Sequence, residues 1–332
     1  MNSIRKGAFH LFGIAGIDVS LHWSWFLVAA YEISIERSAY SSIGWPIAEY
    51  LALFLIVLLH EFGHALACRQ TGGTANHIVL WPLGGVAYVD PPQRPGAMLW
   101  SLAAGPLVNV ALLPILYTAV TFARSAGAAL RMPNLFHLLL AVEWINLILL
   151  GFNLLPIYPL DGGQILRSLL WFGIGRARSL MVAVVVGFIG VAAMIAWALL
   201  AQNTWIGIFA AFILLNCWSG LRYAQILLKM AKLPRRPGLA CPSCQAPPPL
   251  GLFWRCGTCG ARFDAFETGT SNFTNPWHPG GTICPNCHAH FPVIRCLDCG
   301  RSYSTPEWTA AGAITVPGKP VNSPAPVLPS TR

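Results

Sequence analysis

The chain is 332 residues long, with 55% hydrophobic residues, only 10% charged residues and a net charge of +9. Soluble domains carry roughly 25% charged residues, so this composition excludes a disordered chain and argues against an ordinary soluble one. The basic excess does not by itself indicate nucleic acid, because the inner loops of membrane proteins are also rich in Lys and Arg.

From the N-terminus, Arg5 and Lys6 precede an apolar stretch at 17–36 that holds His22 and Glu32. It lacks a small-residue cleavage site and reads as an uncleaved membrane helix rather than a signal peptide. Clearer apolar runs cover 47–70, 97–122, 135–155, 179–201 and 204–228. Each reaches the length of about 20 residues needed to cross a bilayer. A shorter piece at 163–175 follows Pro156 and Pro159 and reads as the second half of a broken crossing. The expected fold is therefore an α-helical polytopic membrane protein with about six crossings. Between the second and third crossings, at about 74–92, β-branched and aromatic residues surround Leu83, Gly84 and Gly85. This reads as a membrane-associated β-hairpin with its turn at the glycines. Backbone at that depth must be paired or buried in protein.

With this order of crossings, 12 Lys and Arg flank one membrane face and 3 the other. The bias predicts both termini in the cytoplasm.

Composition changes near residue 233. Of 26 prolines, 16 lie in 233–332, and so do eight of the ten cysteines. The expected domains are 1–232 in the membrane, a Cys-rich part at 233–308 and a disordered tail at 309–332 rich in Pro, Ala, Ser and Thr.

The second crossing contains His60-Glu61-Phe62-Gly63-His64. Residues i and i+4 share a helix face, so both imidazoles can hold one zinc, with Glu61 beside them as a base for zinc-bound water. Polar packing between helices is the alternative, but such groups inside a spanning helix are costly unless they are used. Catalytic zinc usually takes three protein ligands. The candidate is Asp161, after the break in Asn153-Leu154-Leu155-Pro156-Ile157-Tyr158-Pro159-Leu160-Asp161-Gly162-Gly163. Its alternative role is an N-cap for the helix that follows. His137 and Glu143 in the fourth crossing, and the lone Cys68 and Cys217, read as packing residues.

These motifs resemble the site-2 protease family of intramembrane zinc metalloproteases. Three more stretches fit: Phe12-Gly13 through His22-Trp23-Ser24, Pro82-Leu83-Gly84-Gly85-Val86-Ala87, and Ala104-Gly105-Pro106 with Asn109. The resemblance covers about 9–230. It implies zinc on His60, His64 and Asp161, Glu61 as base, and contact of Asn153 with the substrate or its developing oxyanion. It also implies cleavage in or near membrane segments of other proteins. Such a segment must unwind to be cut, and the hairpin could pair with it by strand addition. One departure is Gln164, where many members have Arg.

The C-terminal part holds Cys241/Cys244, Cys256/Cys259, Cys284/Cys287 and Cys296/Cys299, four C-x-x-C pairs. In a reducing compartment these are metal ligands sooner than disulfides. Gaps of 11 and 8 residues inside successive pairs, against 24 between them, suggest sequential pairing into two Cys₄ zinc ribbons. Three zinc ions are expected, one catalytic and two structural. From residue 233 onward there are 8 basic and 4 acidic residues and no basic run. A cytoplasmic protein partner is thus expected for the ribbons, and nucleic acid is not. A membrane metal transporter or a non-catalytic scaffold with a docking module are the alternative functions.

Overall fold

The computed structural model describes residues 7–81, 84–267 and 281–309, with side chains omitted for 84–88. It divides into two compact units, Met1–Gln225 and Ile226–Arg332.

The first unit opens with strands β1 (Ala8–Ile14) and β2 (Ile17–His22), followed by helix α1 (Trp25–Glu36) and the long helix α2 (Gly44–Gln70). The expected single helix over 17–36 is not formed. Residues 17–22 read Ile-Asp-Val-Ser-Leu-His, an alternation with the strand period of two. Ile17 and Val19 are fully buried while Asp18 faces out. The helix that remains has 12 residues and rises about 18 Å.

After α2 come β3 (Thr74–Trp81) and β4 (Gly84–Asp90), the expected hairpin. Its turn is not at the two glycines. Trp81 pairs with Gly84 and Leu80 with Gly85, so both glycines lie on β4, and Pro82 and Leu83 between the strands fall outside the described residues. The hairpin also has a partner the sequence did not suggest. The sheet order is β1-β2-β3-β4, with β2 and β3 parallel and joined through the two helices. The sheet packs on the second half of α2 through Ile17, Val19, Ala65, Cys68, Ile78 and Leu80. Arg69 fastens this end, donating to the carbonyls of Ala15, Gly16 (2.6 Å) and Ala75 (2.9 Å).

The remaining helices are α3 (Pro95–Ser125), the short α4 (Ala128–Arg131), α5 (Pro133–Leu154), α6 (Asp161–Ile174), α7 (Arg176–Leu200) and α8 (Thr204–Ala231). Among the described residues, five helices are long and apolar enough to cross a membrane: α2, α3, α5, α7 and α8. The break between α5 and α6 is packed by glycines. A Cβ on Gly162 would lie 2.4 Å from the carbonyl oxygens of Leu154 and Leu155, and one on Gly163 2.4 Å from the Tyr158 nitrogen. No side chain fits there, which accounts for Gly-Gly after Asp161. Ile157 of the break is buried against Val191 of α7 and Ile213 and Cys217 of α8. Cys217 donates to the Tyr158 carbonyl at 2.9 Å.

In the second unit, short two-stranded hairpins are formed by β5 (Trp254–Arg255) with β6 (Arg262–Phe263), β7 (Thr282–Ile283) with β8 (His290–Phe291), and β9 (Ile294–Arg295) with β10 (Ser302–Tyr303). Trp254, Phe263, Phe266, Ile294 and Trp308 fill one core between them. The tail expected over 309–332 lies, beyond residue 309, outside the described residues.

Candidate active site and metal centres

His60 and His64 sit one turn apart on α2, and Asp161 is the first residue of α6, which brings its carboxylate to them across the bundle. His60 Nε2 lies 3.0 Å from Asp161 Oδ2, His64 Nε2 lies 3.2 Å from the same oxygen, and the two Nε2 atoms are 3.1 Å apart. The N-cap position of α6 is Leu160 and Asp161 is the first residue inside the helix, and its carboxylate faces the histidines.

The other ring nitrogens decide which protons are present. Asn146 on α5 donates from Nδ2 to the backbone carbonyl of Asn109 on α3 (3.0 Å), which leaves its Oδ1 to accept from Asn109 Nδ2 (2.8 Å). Asn109 must then offer its own Oδ1 to His60 Nδ1, 2.6 Å away. His64 Nδ1 faces the carbonyl of Ser101 at 2.8 Å. Both imidazoles therefore carry a proton on Nδ1 and turn Nε2 inward, the orientation that outer hydrogen bonds impose on metal-binding histidines. A tetrahedral ion with bonds of 2.0–2.1 Å has ligand–ligand edges of about 3.3 Å. Two nitrogens and one carboxylate oxygen at 3.0–3.2 Å fit a small divalent ion. His60, Glu61 and His64 are all buried, as are Asn109 and Asn146, which have no exposed surface at all.

Two glycines make room for this. A Cβ on Gly105 of α3 would lie 2.3 Å from His64 Nε2 and 2.7 Å from His60 Nε2, and one on Gly63 would lie 2.7 Å from the Ala104 carbonyl oxygen. The histidines rest on the bare backbone of α3. On their other side is a cavity of about 530 Å³ whose wall includes His60, Glu61, Asp161, Asn153 and Trp81. Asn153 thus stands at the site, on the last turn of α5. Gln164 also reaches it, and its Nε2 donates to the Pro159 carbonyl at 2.9 Å, tying α6 to the break before it.

Residues 48–127 and 122–197 match the sequence model of Peptidase family M50. Over this stretch the chain is similar to that family. A zinc metalloprotease of Methanocaldococcus jannaschii, MJ0392, is 32% identical over 218 residues, 65% of this chain and 61% of that protein. Stage IV sporulation protein FB of Bacillus subtilis is 35% identical over 118 residues, 35% of this chain and 38% of its own length. The chain thus spans less than two thirds of the length of either relative. The solved Site-2 Protease from Methanocaldococcus jannaschii has 28% identity and a TM-score of 0.47, over 64% of this chain and 95% of that chain.

The Asn109–Asn146 relay has only a partial signal in the sequence. Asn109 belongs to the Ala104-Gly105-Pro106 stretch, but Asn146 is one polar residue in an apolar helix and carries no motif. His137 makes an edge contact with Tyr40, ring centroids 4.7 Å apart, away from the donor set.

The second unit brings the eight cysteines into two groups: Cys241, Cys244, Cys296 and Cys299, and Cys256, Cys259, Cys284 and Cys287. This corrects the sequential pairing. The first pair joins the last, and the middle two join each other. Gap length misled because loop closure grows only with the logarithm of length; the longer outer loop costs on the order of 1 kcal/mol more, less than a shared core repays. Nearest sulfurs are 3.5–3.7 Å apart. A disulfide needs about 2.05 Å, whereas the edge of a tetrahedral zinc–thiolate site is about 3.8 Å. Each pair makes the same turn. The nitrogens of Cys241, Cys256, Cys284 and Cys296 bond the carbonyls of Ala246, Ala261, Ala289 and Arg301, and the residue after each second cysteine has positive φ. That residue is Gly260 or Gly300 in two turns, and Gln245 or His288 in the others. Backbone N–H groups of Cys259 and Thr258 point at Cys256 Sγ, 3.5 and 3.4 Å away, and hold that thiol below its ordinary pKa, toward the thiolate a metal requires.

Proposed function

We propose that the chain is an intramembrane zinc metalloprotease that hydrolyses peptide bonds in or near the membrane segments of other proteins. The observation that carries this reading is the convergence of one potential ligand atom each from His60, His64 and Asp161 beside Glu61, with His60, Glu61 and Asp161 on the wall of one cavity. Similarity to Peptidase family M50 and the names of the relatives support it. A transport site has no need of a carboxylate such as Glu61 adjoining the donor set, and a scaffold has no need of the oriented histidines.

Zinc bound by these residues would supply Lewis-acid chemistry, acidifying water and polarising a carbonyl. Glu61 takes the proton of the attacking water and delivers it to the leaving amine. Asn153 offers an amide to the substrate carbonyl as it gains negative charge. The apolar wall of the cavity keeps bulk water from this exchange and raises the strength of each polar contact. The hairpin β3-β4 pairs with the unwound substrate strand. The two cysteine groups hold structural zinc, and their unit serves as a cytoplasmic docking or regulatory module beyond a boundary near residue 233. The Lys and Arg bias supports a cytoplasmic location for both termini.

The test is a pair of variants on purified full-length protein. Glu61→Gln keeps the membrane zinc and loses cleavage of a model membrane substrate, while His64→Ala loses both. Cleavage at the normal rate by Glu61→Gln would rule out this mechanism.

A further inference from the structure

We infer that the exposed apolar loop 250–253 of the second unit is a membrane-interface anchor, its occupant being the headgroup–acyl boundary of the leaflet that α8 leaves.

The loop lies at the exit of that helix. Helix α8 ends at Ala231, and directly afterwards the chain pairs with the segment preceding the loop: Arg236 N bonds Pro248 O (2.9 Å), Arg235 bridges Pro249, and Leu250 N bonds Pro234 O (2.8 Å). The Arg235 guanidinium donates back to the carbonyl of Met230 in the last turn of α8 (2.8 Å) and pairs with Asp298 at 2.6 Å. All of these bonds lie within the second unit, and they tie the loop to residues 230–236, the end of α8 and the chain that directly follows it.

The loop is built to hold its apolar groups outward. Leu250, Leu252 and Phe253 are 40%, 60% and 42% exposed, while the next residue, Trp254, is buried in the core. The cause is Asp264, itself only 5% exposed. Its carboxylate accepts from Gly251 N (3.1 Å), Phe266 N (3.0 Å) and Arg236 Nη2 (2.8 Å). Gly251 stands at φ +130°, and a Cβ there would lie 2.9 Å from the Phe253 ring. Only glycine allows this bend, and the bend leaves three large apolar side chains in a tied-down loop facing away from the core. Exposed apolar groups held so close to a helix exit meet lipid before they meet bulk water. Lys229, in the last turn of α8, and Lys232, just after it, are exposed and match anionic headgroups. Apolar side chains at the boundary, with lysines at the helix end nearby in the chain, are the pattern of interfacial anchoring.

The test uses full-length protein in vesicles of phosphatidylcholine with a minority of phosphatidylglycerol. A photoreactive p-benzoylphenylalanine replaces Leu252 or Phe253 in turn, with Thr258 and Asn286 as exposed controls on two other turns of the unit. Zinc content checks that each variant has folded. After irradiation, the lipid adduct on the peptide is measured by mass. The anchor predicts adducts at 252 and 253 about tenfold or more above the controls, as expected for side chains at the acyl boundary. Equal adducts at all four positions would overturn it. So would adducts in native membranes that go to another polypeptide instead of lipid. The result does not depend on protease activity, so the anchor and the proposed function can fail separately.

Discussion

Gly105 offers the sharpest test of how the metal centre is built, because it touches no substrate and carries no side chain. Gly105→Ala adds one methyl group. That carbon would lie 2.3 Å from His64 Nε2, 2.5 Å from His64 Cε1 and 2.7 Å from His60 Nε2, where real Cβ contacts essentially never fall below 3.0 Å. Relief requires a movement of about 0.7 Å or more, well outside the roughly 0.5 Å within which a working site must be held. The rings cannot simply slide, since their Nδ1 atoms are held by Asn109 and Ser101 at 2.6 and 2.8 Å. Overpacking costs a helix bundle only about 1–3 kcal/mol, so the variant still folds. A displacement near 1 Å costs about a hundredfold in rate. The expected outcome is a folded protein with thermal unfolding lowered by a few degrees, membrane zinc weakened, and cleavage reduced about a hundredfold or more. The assay pairs zinc content with cleavage of a membrane substrate in vesicles. Wild-type zinc affinity with a rate within about threefold of wild type would show that the histidines do not rest on α3, and the geometry above would be wrong.

Asn146→Leu removes the group that fixes the Asn109 amide, and zinc affinity should fall by about tenfold to a hundredfold, as for other outer partners of metal ligands; unchanged affinity would show that Asn109 holds its orientation alone. The nested cysteine arrangement predicts that Cys241→Ser and Cys299→Ser each lose the same zinc, so the double variant loses no second ion, whereas Cys241→Ser with Cys256→Ser loses two. Loss of two ions by the first double variant would restore sequential pairing. A reporter fused after Lys232 should be active on the cytoplasmic side, and activity only outside would reverse the proposed orientation.

Much of the first unit was legible because its signals are local. An H-E-x-x-H on an apolar helix states its own geometry, and prolines followed by glycines announce a break that frees a carboxylate. The five long helices follow from length and apolarity alone. What was not legible depends on distance in sequence. The alternation in Ile17–His22 is a strand signal, but embedded in an apolar run it reads as helix, and its partner β3 lies beyond two intervening helices. The turn at Gly84-Gly85 was inferred from residue preference, while the register of β3 and β4 puts those glycines opposite Trp81 and Leu80. The ribbon pairing failed for a related reason: four equivalent turns carry no mark of which joins which, and only the shared aromatic core selects the partner.

A polar site inside an apolar bundle is held by close backbone contacts. The ligands are conspicuous, but each is positioned by a place where no side chain is tolerated. Gly105 lets both imidazoles lie on α3, Gly63 lets α2 approach that helix, and Gly162 and Gly163 let α6 fold back against the end of α5. In lipid, association of helices gains little from the hydrophobic effect and relies on close packing and interhelical hydrogen bonds. Here those two sources act on one spot. Glycine contacts draw the helices together, and at that closeness Asn109 and Asn146 can join α3 to α5 and turn His60 on α2. The hydrogen bonds would be out of reach if the backbones stood a methyl group further apart. The glycines and asparagines are therefore coupled, and substitution of either class should loosen the same site.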